Sequence, residues 1–140
     1  LFIHPKCTCS KATINNLGRL LDSMAVPPAV TVFAPSPLED QKGWMSTELV
    51  KQARKKCGNV VADTRGKIAS AFGVRTSGHI LVYNQKQDLA FSGGVTQSRG
   101  HEGECQPLTD LAKQISNAAD GTNYCPVFGC TLISSEEGSQ

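Results

Sequence analysis

An apolar stripe over residues 12–24 is the sequence feature that most limits what this chain can fold into. Its apolar residues recur at three- and four-residue spacing and stop before a pair of prolines, which predicts an amphipathic helix that begins near Ser10. Residues 1–4 read as the end of a buried strand, because a proline that cannot donate to a strand ladder follows at once. Cys7 and Cys9 therefore lie in a turn between a strand and a helix. The stripe consists of Ala12, Ile14, Leu17, Leu20, Leu21 and Met24.

Strand-like and helix-like patterns continue to alternate along the chain. The order of these patterns predicts an α/β protein, with a central mixed sheet of parallel strands and a C-terminal antiparallel hairpin, flanked by helices. We expect one domain over residues 1–133 and a polar, disordered tail over 134–140. Strands are predicted at 29–34, 60–62, 79–83 and 89–92, and a loop at 35–43. Helices are predicted at 48–56, with Ser46 or Thr47 as N-cap, over a short stretch that ends at 72–73, and at 107–115.

Charge and hydropathy exclude two classes of protein. Lysine and arginine number 14 against 12 acidic residues, a net charge of +2, which is too small an excess for nucleic acid to be the expected partner. No apolar run approaches the roughly 20 residues of a membrane-spanning helix.

Six cysteines, an even number, favour an oxidising compartment. The chain opens abruptly on a strand-like run, so we expect that a natural N-terminal targeting segment has been removed. These two observations predict an extracytoplasmic protein, either periplasmic or tethered to a membrane through that segment.

The Cys7-x-Cys9 pair is the feature with the clearest chemical meaning. A helix N-terminus carries about half a positive charge and free amide groups, which stabilise a thiolate and lower its pKa from about 8.5. A disulfide between Cys7 and Cys9 would close a very small ring, which is strained and easily reduced. Redox chemistry fits these properties, and metal ligation or a purely structural role remains open.

Two histidines are candidate proton handlers. Either His4 or His101 could deprotonate the Cys7 thiol or, as an imidazolium, stabilise its thiolate. His4 could equally be structural, and the charged glycine loop that contains His101 could simply be solvated. His79 lies at the start of a strand and is interpreted as structural.

The remaining cysteines leave their pairing open. Cys125 lies in a C-terminal segment without periodicity, and a Cys105–Cys125 disulfide would explain how that segment is held. A zinc site is the alternative, with four ligands in tetrahedral geometry: His101, Cys105, Cys125 and Cys130. Cys57 is interpreted as a buried or paired structural cysteine.

Several segments together resemble the thioredoxin superfamily. The resemblance rests on the strand, cysteine turn and helix at 1–24, on the segment 72–79 that leads into a hairpin, and on the glycine pair at 93–94. A narrower similarity is to a bacterial RedB-like group of thioredoxin-like proteins. It is carried by the segments 4–10, 76–78, 91–94, 99–103 and 128–130.

This resemblance implies a thioredoxin-like fold with a shared groove at one end of the sheet. The groove would contain Cys7 and Cys9 together with Ser77, Gly78, Gly93 and Gly94. Thioredoxins have two residues between their cysteines and a cis-proline before the hairpin, whereas this chain has one residue and Gly78. The resemblance also implies that Cys130 belongs to the common pattern, as a resolving thiol or a third metal ligand for the Cys7 and Cys9 site.

The function predicted first is that of a thiol–disulfide oxidoreductase without a cofactor. Cys7 attacks, Cys9 resolves, and His4 or His101 tunes the thiolate, with protein thiols and disulfides or a membrane-bound electron donor as partners. The first alternative is a copper- or zinc-binding protein with Cys7, Cys9, Cys130 and His101 as ligands. The second is a non-catalytic module that binds a partner in the groove.

Overall fold

The computed structural model describes residues 1–116 and 121–132. Within them the chain is a mixed α/β fold, in agreement with the predicted class. The disordered tail predicted for 134–140 lies outside the described residues. The elements are α1 Ser10–Asp22, β1 Thr31–Ser36, α2 Gln41–Trp44, α3 Glu48–Lys56, β2 Asn59–Thr64, α4 Lys67–Ala71, β3 Ile80–Tyr83, β4 Leu89–Gly93, α5 Gln106–Ile115 and β5 Asn123–Tyr124.

The strands form two sheets, not the one central sheet that the sequence predicted. In the first sheet β1 and β2 are parallel, and in the second β4 lies between antiparallel β3 and parallel β5. Phe2 links the sheets, because it bridges Phe33 of β1 in parallel and His79 in antiparallel orientation. Because only one residue makes this link, the strands form two separate sheets, although backbone hydrogen bonds of residues 1–3 join them.

Residues 1–3 are the buried connection between the two sheets. The Phe33 N–H donates to Leu1 O at 2.8 Å, and the Phe2 N–H donates to His79 O at 2.9 Å. Their side chains are at most 8% exposed. Because a proline follows shortly after, the chain leaves the sheet and turns into α1, which sets where Cys7 lies.

The main core lies between the sheets and helices α1, α3 and α5. It contains the apolar stripe that predicted α1, and Phe91 and Leu111 in it are fully buried. The other members include Ile3, Ile14, Leu17, Leu21, Val32, Val50, Val60, Ile80, Val95 and Leu108.

Local signals predicted α3 well and missed two short elements. Thr47 Oγ1 accepts a hydrogen bond from the Val50 N–H at 3.3 Å, as the predicted N-cap should. The helix α2 lies mostly within the segment 35–43, for which the sequence predicts a loop. The sequence gives no prediction of β5. Both elements are four residues or shorter, so neither is long enough to show a hydrophobic period.

Asn16 connects α1 to the loop that follows β4. Its side chain is 0% exposed, although it lies in the interior of a helix. The Asn16 Nδ2–H donates to Val95 O at 2.8 Å, and Asn16 Oδ1 accepts from the Gly103 N–H at 3.0 Å. This side chain therefore holds the loop 95–103 against the first turns of α1.

We predict that Asn16→Ala lowers the free energy of unfolding by about 1–3 kcal/mol, because buried backbone groups lose their partner. Asn15→Ala is the matched control on the same helix. Asn15 is only partly buried and its hydrogen bonds, to Glu102 and Lys56, are exposed, so its loss should change stability by about 0.5 kcal/mol or less. Urea unfolding of both variants measures the difference. Equal unfolding midpoints would contradict the role assigned to Asn16.

Candidate thiol site

The turn before α1 holds the Cys7 sulfur at the start of the helix. The Cys7 N–H donates to His4 O at 3.0 Å, and the Ser10 N–H donates to Cys7 O at 3.1 Å. These bonds close two successive turns, over residues 4–7 and 7–10, and Cys9 is the N-cap residue of α1. Cys7 is 1% exposed, whereas Cys9 is partly exposed.

A chain of buried hydroxyl groups ends at the Cys7 sulfur. The His4 backbone N–H donates to Ser77 Oγ at 2.8 Å, Ser77 Oγ and Ser10 Oγ are 2.6 Å apart, and Ser10 Oγ is 3.5 Å from Cys7 Sγ. A hydroxyl has one proton, so if Ser10 donates to the sulfur, Ser77 must donate to Ser10. The backbone of residue 4 thus orients the hydroxyl groups toward the sulfur.

Cys130 supplies the other donors to this sulfur. Its backbone N–H donates to Cys7 Sγ at 3.3 Å, and its thiol also lies within hydrogen-bonding reach of Cys7. Burial acts to raise the pKa of Cys7, but hydrogen bonds from Cys130 and Ser10 outweigh burial and lower it to about 7. A large share of Cys7 is therefore thiolate near neutral pH.

Arg99 brings a positive charge to the two partly exposed thiols. Its Nη2 group donates to Cys130 Sγ at 3.4 Å, and its guanidinium also hydrogen-bonds to Cys9. The interaction with these two thiols raises the pKa of Arg99, which keeps the guanidinium charged. Cys130 thus contacts Cys7 directly and shares Arg99 with Cys9, and these three cysteines are called the thiol cluster.

The segments expected to line a groove do lie together, but the chain itself covers them. The Ser77 N–H donates to Cys130 O at 2.8 Å, and the Gly94 N–H donates to Pro126 O at 3.1 Å. Val127 lies between them, against both Gly78 and Gly94. The C-terminal segment 125–132 therefore runs across the predicted groove.

Two glycines allow this close packing. Gly78 has φ +100°, a backbone conformation that other residues rarely adopt, and a Cβ atom there would be 3.1 Å from Thr13 Oγ1. At Gly129, a Cβ atom would be only 2.2 Å from Ser77 O. A side chain at residue 129 would force the 125–132 segment away from Ser77.

The three histidines occupy different surroundings. His4 Nδ1 accepts from the Lys6 N–H at 3.0 Å, and its ring packs against Trp44 with ring centroids 5.0 Å apart. The exposed His101 ring makes no hydrogen bond within residues 1–116 and 121–132, so its role as proton handler stays a prediction. His79 Nε2 lies 2.8 Å from Ser92 Oγ, and burial lowers the pKa of His79, as a structural histidine would show.

All six cysteines are free thiols in this structure. The predicted Cys105–Cys125 bridge is not formed, and the Cys105 thiol donates to Val95 O at 3.3 Å. Burial raises the pKa of Cys57 to about 11 and also raises the pKa of Cys125. These thiols are poor nucleophiles at neutral pH, in contrast to Cys7.

Zinc binding by the predicted set, and metal binding by Cys7, Cys9, Cys130 and His101, stay predictions. No cluster of three or more histidine, cysteine or acidic side chains able to hold a metal ion occurs in the part of the chain that the structure describes.

Sequence reasoning missed Ser10 and Arg99 as parts of the site. Ser10 had a detectable signal, since it lies three residues after Cys7 in the first turn of a predicted helix, where its hydroxyl can point back to residue 7. Arg99 belongs to the charged loop that was assigned to His101, and only the tertiary structure shows which side chain of that loop meets the sulfurs.

Comparison with known proteins supports the fold alone. No family model matches the chain, and no curated protein does either. A crystal structure of a hypothetical protein from Sinorhizobium meliloti 1021 is similar, with a TM-score of 0.70 and 19% identity, over 96% of this chain and 78% of that one. An uncharacterized conserved protein from Geobacillus kaustophilus has a TM-score of 0.72 and 16% identity, over 96% of this chain and 75% of that one.

We predict that alkylation of Cys7 by iodoacetamide follows pH with a midpoint near 7, whereas Cys57 reacts only at much more alkaline pH. Ser10→Ala should raise the Cys7 midpoint by about 1–2 pH units, because a hydrogen bond to a charged group such as the thiolate is worth about 1.5–3 kcal/mol. The measurement is peptide mass mapping of labelling rates, each divided by its plateau at high pH, so that slow access to a buried sulfur cancels.

Thr8→Ala is the matched control, since Thr8 is exposed in the same turn, and it should leave the Cys7 midpoint unchanged. A midpoint for Cys7 at or above the free-thiol value of about 8.5 would contradict the assignment.

Proposed function

We propose that this protein is a thiol–disulfide oxidoreductase of thioredoxin-like fold with Cys7 as its nucleophile. The observation that supports this most directly is the Cys7 sulfur, which receives hydrogen bonds from Ser10 and Cys130 and has a pKa of about 7. A thiolate is the reactive form in disulfide exchange, and a pKa near ambient pH gives the best balance of thiolate fraction and nucleophilicity.

The fold is proposed from the order and pairing of its elements. Residues 1–3 come first, then α1, parallel strands β1 and β2, and finally the β3–β4 hairpin followed by α5. This order, with a cysteine turn between the first extended segment and α1, is similar to that of the thioredoxin superfamily named above.

The reaction transfers two electrons from two protein thiols to one substrate disulfide. The Cys7 thiolate attacks one sulfur of the substrate, a new sulfur–sulfur bond forms, and the substrate disulfide breaks to release one thiolate. A second protein thiol loses its proton and attacks Cys7 Sγ, which releases the other substrate sulfur as a thiolate. Both released thiolates take up protons, and the protein is left with an internal disulfide.

Two thiols are available for the second step. Cys9 is the resolving residue that the sequence suggested, and Cys130 is the other member of the thiol cluster. Arg99 lies against both, and its charge favours whichever sulfur becomes a thiolate. His4 lies beside the turn of Cys7 and remains the candidate for tuning the site from that side, with His101 as the second candidate.

We propose protein thiols and disulfides, or a membrane-bound electron donor, as the reaction partners, in an extracytoplasmic compartment. The support is the cysteine content and the exchange chemistry of the site. No helix in the described ranges 1–116 and 121–132 is long and apolar enough to cross a membrane.

The two alternatives have less support. The metal-binding function lacks a ligand cluster within the residues described, and the binding-module function must contend with a groove that the segment 125–132 already covers.

We expect purified protein to accelerate reduction of insulin by dithiothreitol and Cys7→Ser to lose this activity, because the substituted residue has no thiolate. Cys57→Ser is the control and should keep wild-type activity, since the Cys57 thiol is protonated at neutral pH. The readout is the rate at which reduced insulin chains precipitate.

Activity of Cys7→Ser equal to wild type would refute Cys7 as the nucleophile. Absence of activity in the wild type, together with slow alkylation of Cys7 at every pH, would refute the oxidoreductase function.

A further inference from the structure

We infer that Cys130 is the resolving thiol of Cys7 and that the segment 125–132 is a fixed arm that delivers it. This inference rests on the proposed function, since a resolving thiol acts only if Cys7 reacts with disulfides. It names a residue that lies far from Cys7 in sequence and outside the Cys-x-Cys pattern.

Backbone hydrogen bonds hold the arm on both sides of Cys130. The Ser77 N–H donates to Cys130 O at 2.8 Å, and the Leu132 N–H donates to Arg75 O at 2.9 Å, with a β-bridge between Thr76 and Thr131. Residues 130–132 thus pair with 75–77 as a short antiparallel strand. This pairing fixes the position of the Cys130 backbone relative to Cys7.

The arm is anchored at both of its ends. On one side the Cys125 N–H donates to Ser92 O at 2.9 Å, next to the pairing of β5 with β4. On the other side Leu132 is 1% exposed in a small core with Phe2 and Val74. Because both ends are fixed, the arm is part of the folded protein, and Cys130 faces Cys7 before any substrate arrives.

Cys9 is less well placed than Cys130 to reach Cys7. Residues 7–10 form a helical type of turn, and residues two apart on such a turn do not face each other. Cys130, by contrast, already contacts the Cys7 sulfur, because its backbone N–H donates to Cys7 Sγ at 3.3 Å. A disulfide to Cys130 would also avoid the very small ring that a Cys7–Cys9 bond must close.

The charges around the thiol cluster favour attack by Cys130 only after Cys7 has formed the mixed disulfide. In the reduced protein the hydrogen bond to Cys7 and burial raise the pKa of Cys130, so Cys130 stays protonated and supports the Cys7 thiolate. When Cys7 forms a mixed disulfide, its negative charge is gone and this hydrogen bond loses its strength. The positive charge of Arg99 then remains beside the Cys130 thiol, lowers its pKa and so favours its thiolate.

The resolving step balances with Cys130 as its nucleophile. Cys130 Sγ gives its proton to water and attacks Cys7 Sγ, a Cys7–Cys130 bond forms, and the bond from Cys7 to the substrate sulfur breaks. The substrate leaves as a thiolate and takes up a proton. Cys7 and Cys130 are each oxidised by one electron, and the substrate disulfide has gained two.

The test uses the whole reduced protein and oxidised glutathione as the disulfide probe. Wild type should release two glutathione thiols per protein and give a Cys7–Cys130 cross-link when its linked peptides are sequenced by tandem mass spectrometry. Cys130→Ser should release only one and keep glutathione bound to Cys7. The matched arm variant Cys125→Ser should behave as wild type, and Cys9→Ser should still form the Cys7–Cys130 cross-link.

The cross-link in wild type decides the question even if substitution at residue 130 disturbs the fold, and Cys130→Ala serves as a second variant. A Cys7–Cys9 link in wild type, with two glutathiones released by Cys130→Ser, would overturn Cys130 as resolving thiol and leave the proposed function intact. No glutathione adduct at Cys7 in any variant would overturn the proposed function itself.

Discussion

The insertion of residues 1–3 between β1 and the start of β3 is the constraint on which the rest of the structure depends. Hydrogen bonds from this segment reach Phe33 on one side and His79 on the other, so it joins the two sheets and forms part of the core. Because the chain leaves the sheet directly after this segment, Cys7 has to lie at the sheet end, beside the residues that precede β3. Ser77 meets Cys7 and Ser10 there for the same reason.

The site is then built from parts that are distant in sequence. The turn of α1 supplies Cys7, Cys9 and Ser10, the residues before β3 supply Ser77, and the C-terminal arm supplies Cys130. Arg99 reaches the same sulfurs from a loop that Asn16 of α1 holds in place through Gly103. Each part packs onto α1 or onto the residues that precede β3. Together they surround the buried Cys7 sulfur, whose pKa is lowered.

Much of the fold followed from local patterns, and the parts that did not have a physical reason. The stripe of α1, the cap of α3 and the β3–β4 hairpin are short-range signals, and all three appear where they were predicted. The split into two sheets depends on Phe2 making a single bridge, and β5 exists only because Asn123 pairs with Phe91. Neither pairing leaves a local trace, because the partners are far apart in sequence.

The sequence by itself determined the chemistry available to this protein: two cysteines at the start of a helix, where free amide groups favour a thiolate. The resemblance to the thioredoxin superfamily implied that Ser77, Gly78, Gly93 and Gly94 lie near these cysteines. The resemblance left Cys9 and Cys130 open as partners of Cys7, and only the tertiary structure shows that Cys130, 123 residues away, reaches Cys7 through backbone pairing with Ser77. Backbone pairing leaves no local pattern in the sequence of the arm, apart from Gly129, whose lack of a side chain lets the arm approach Ser77.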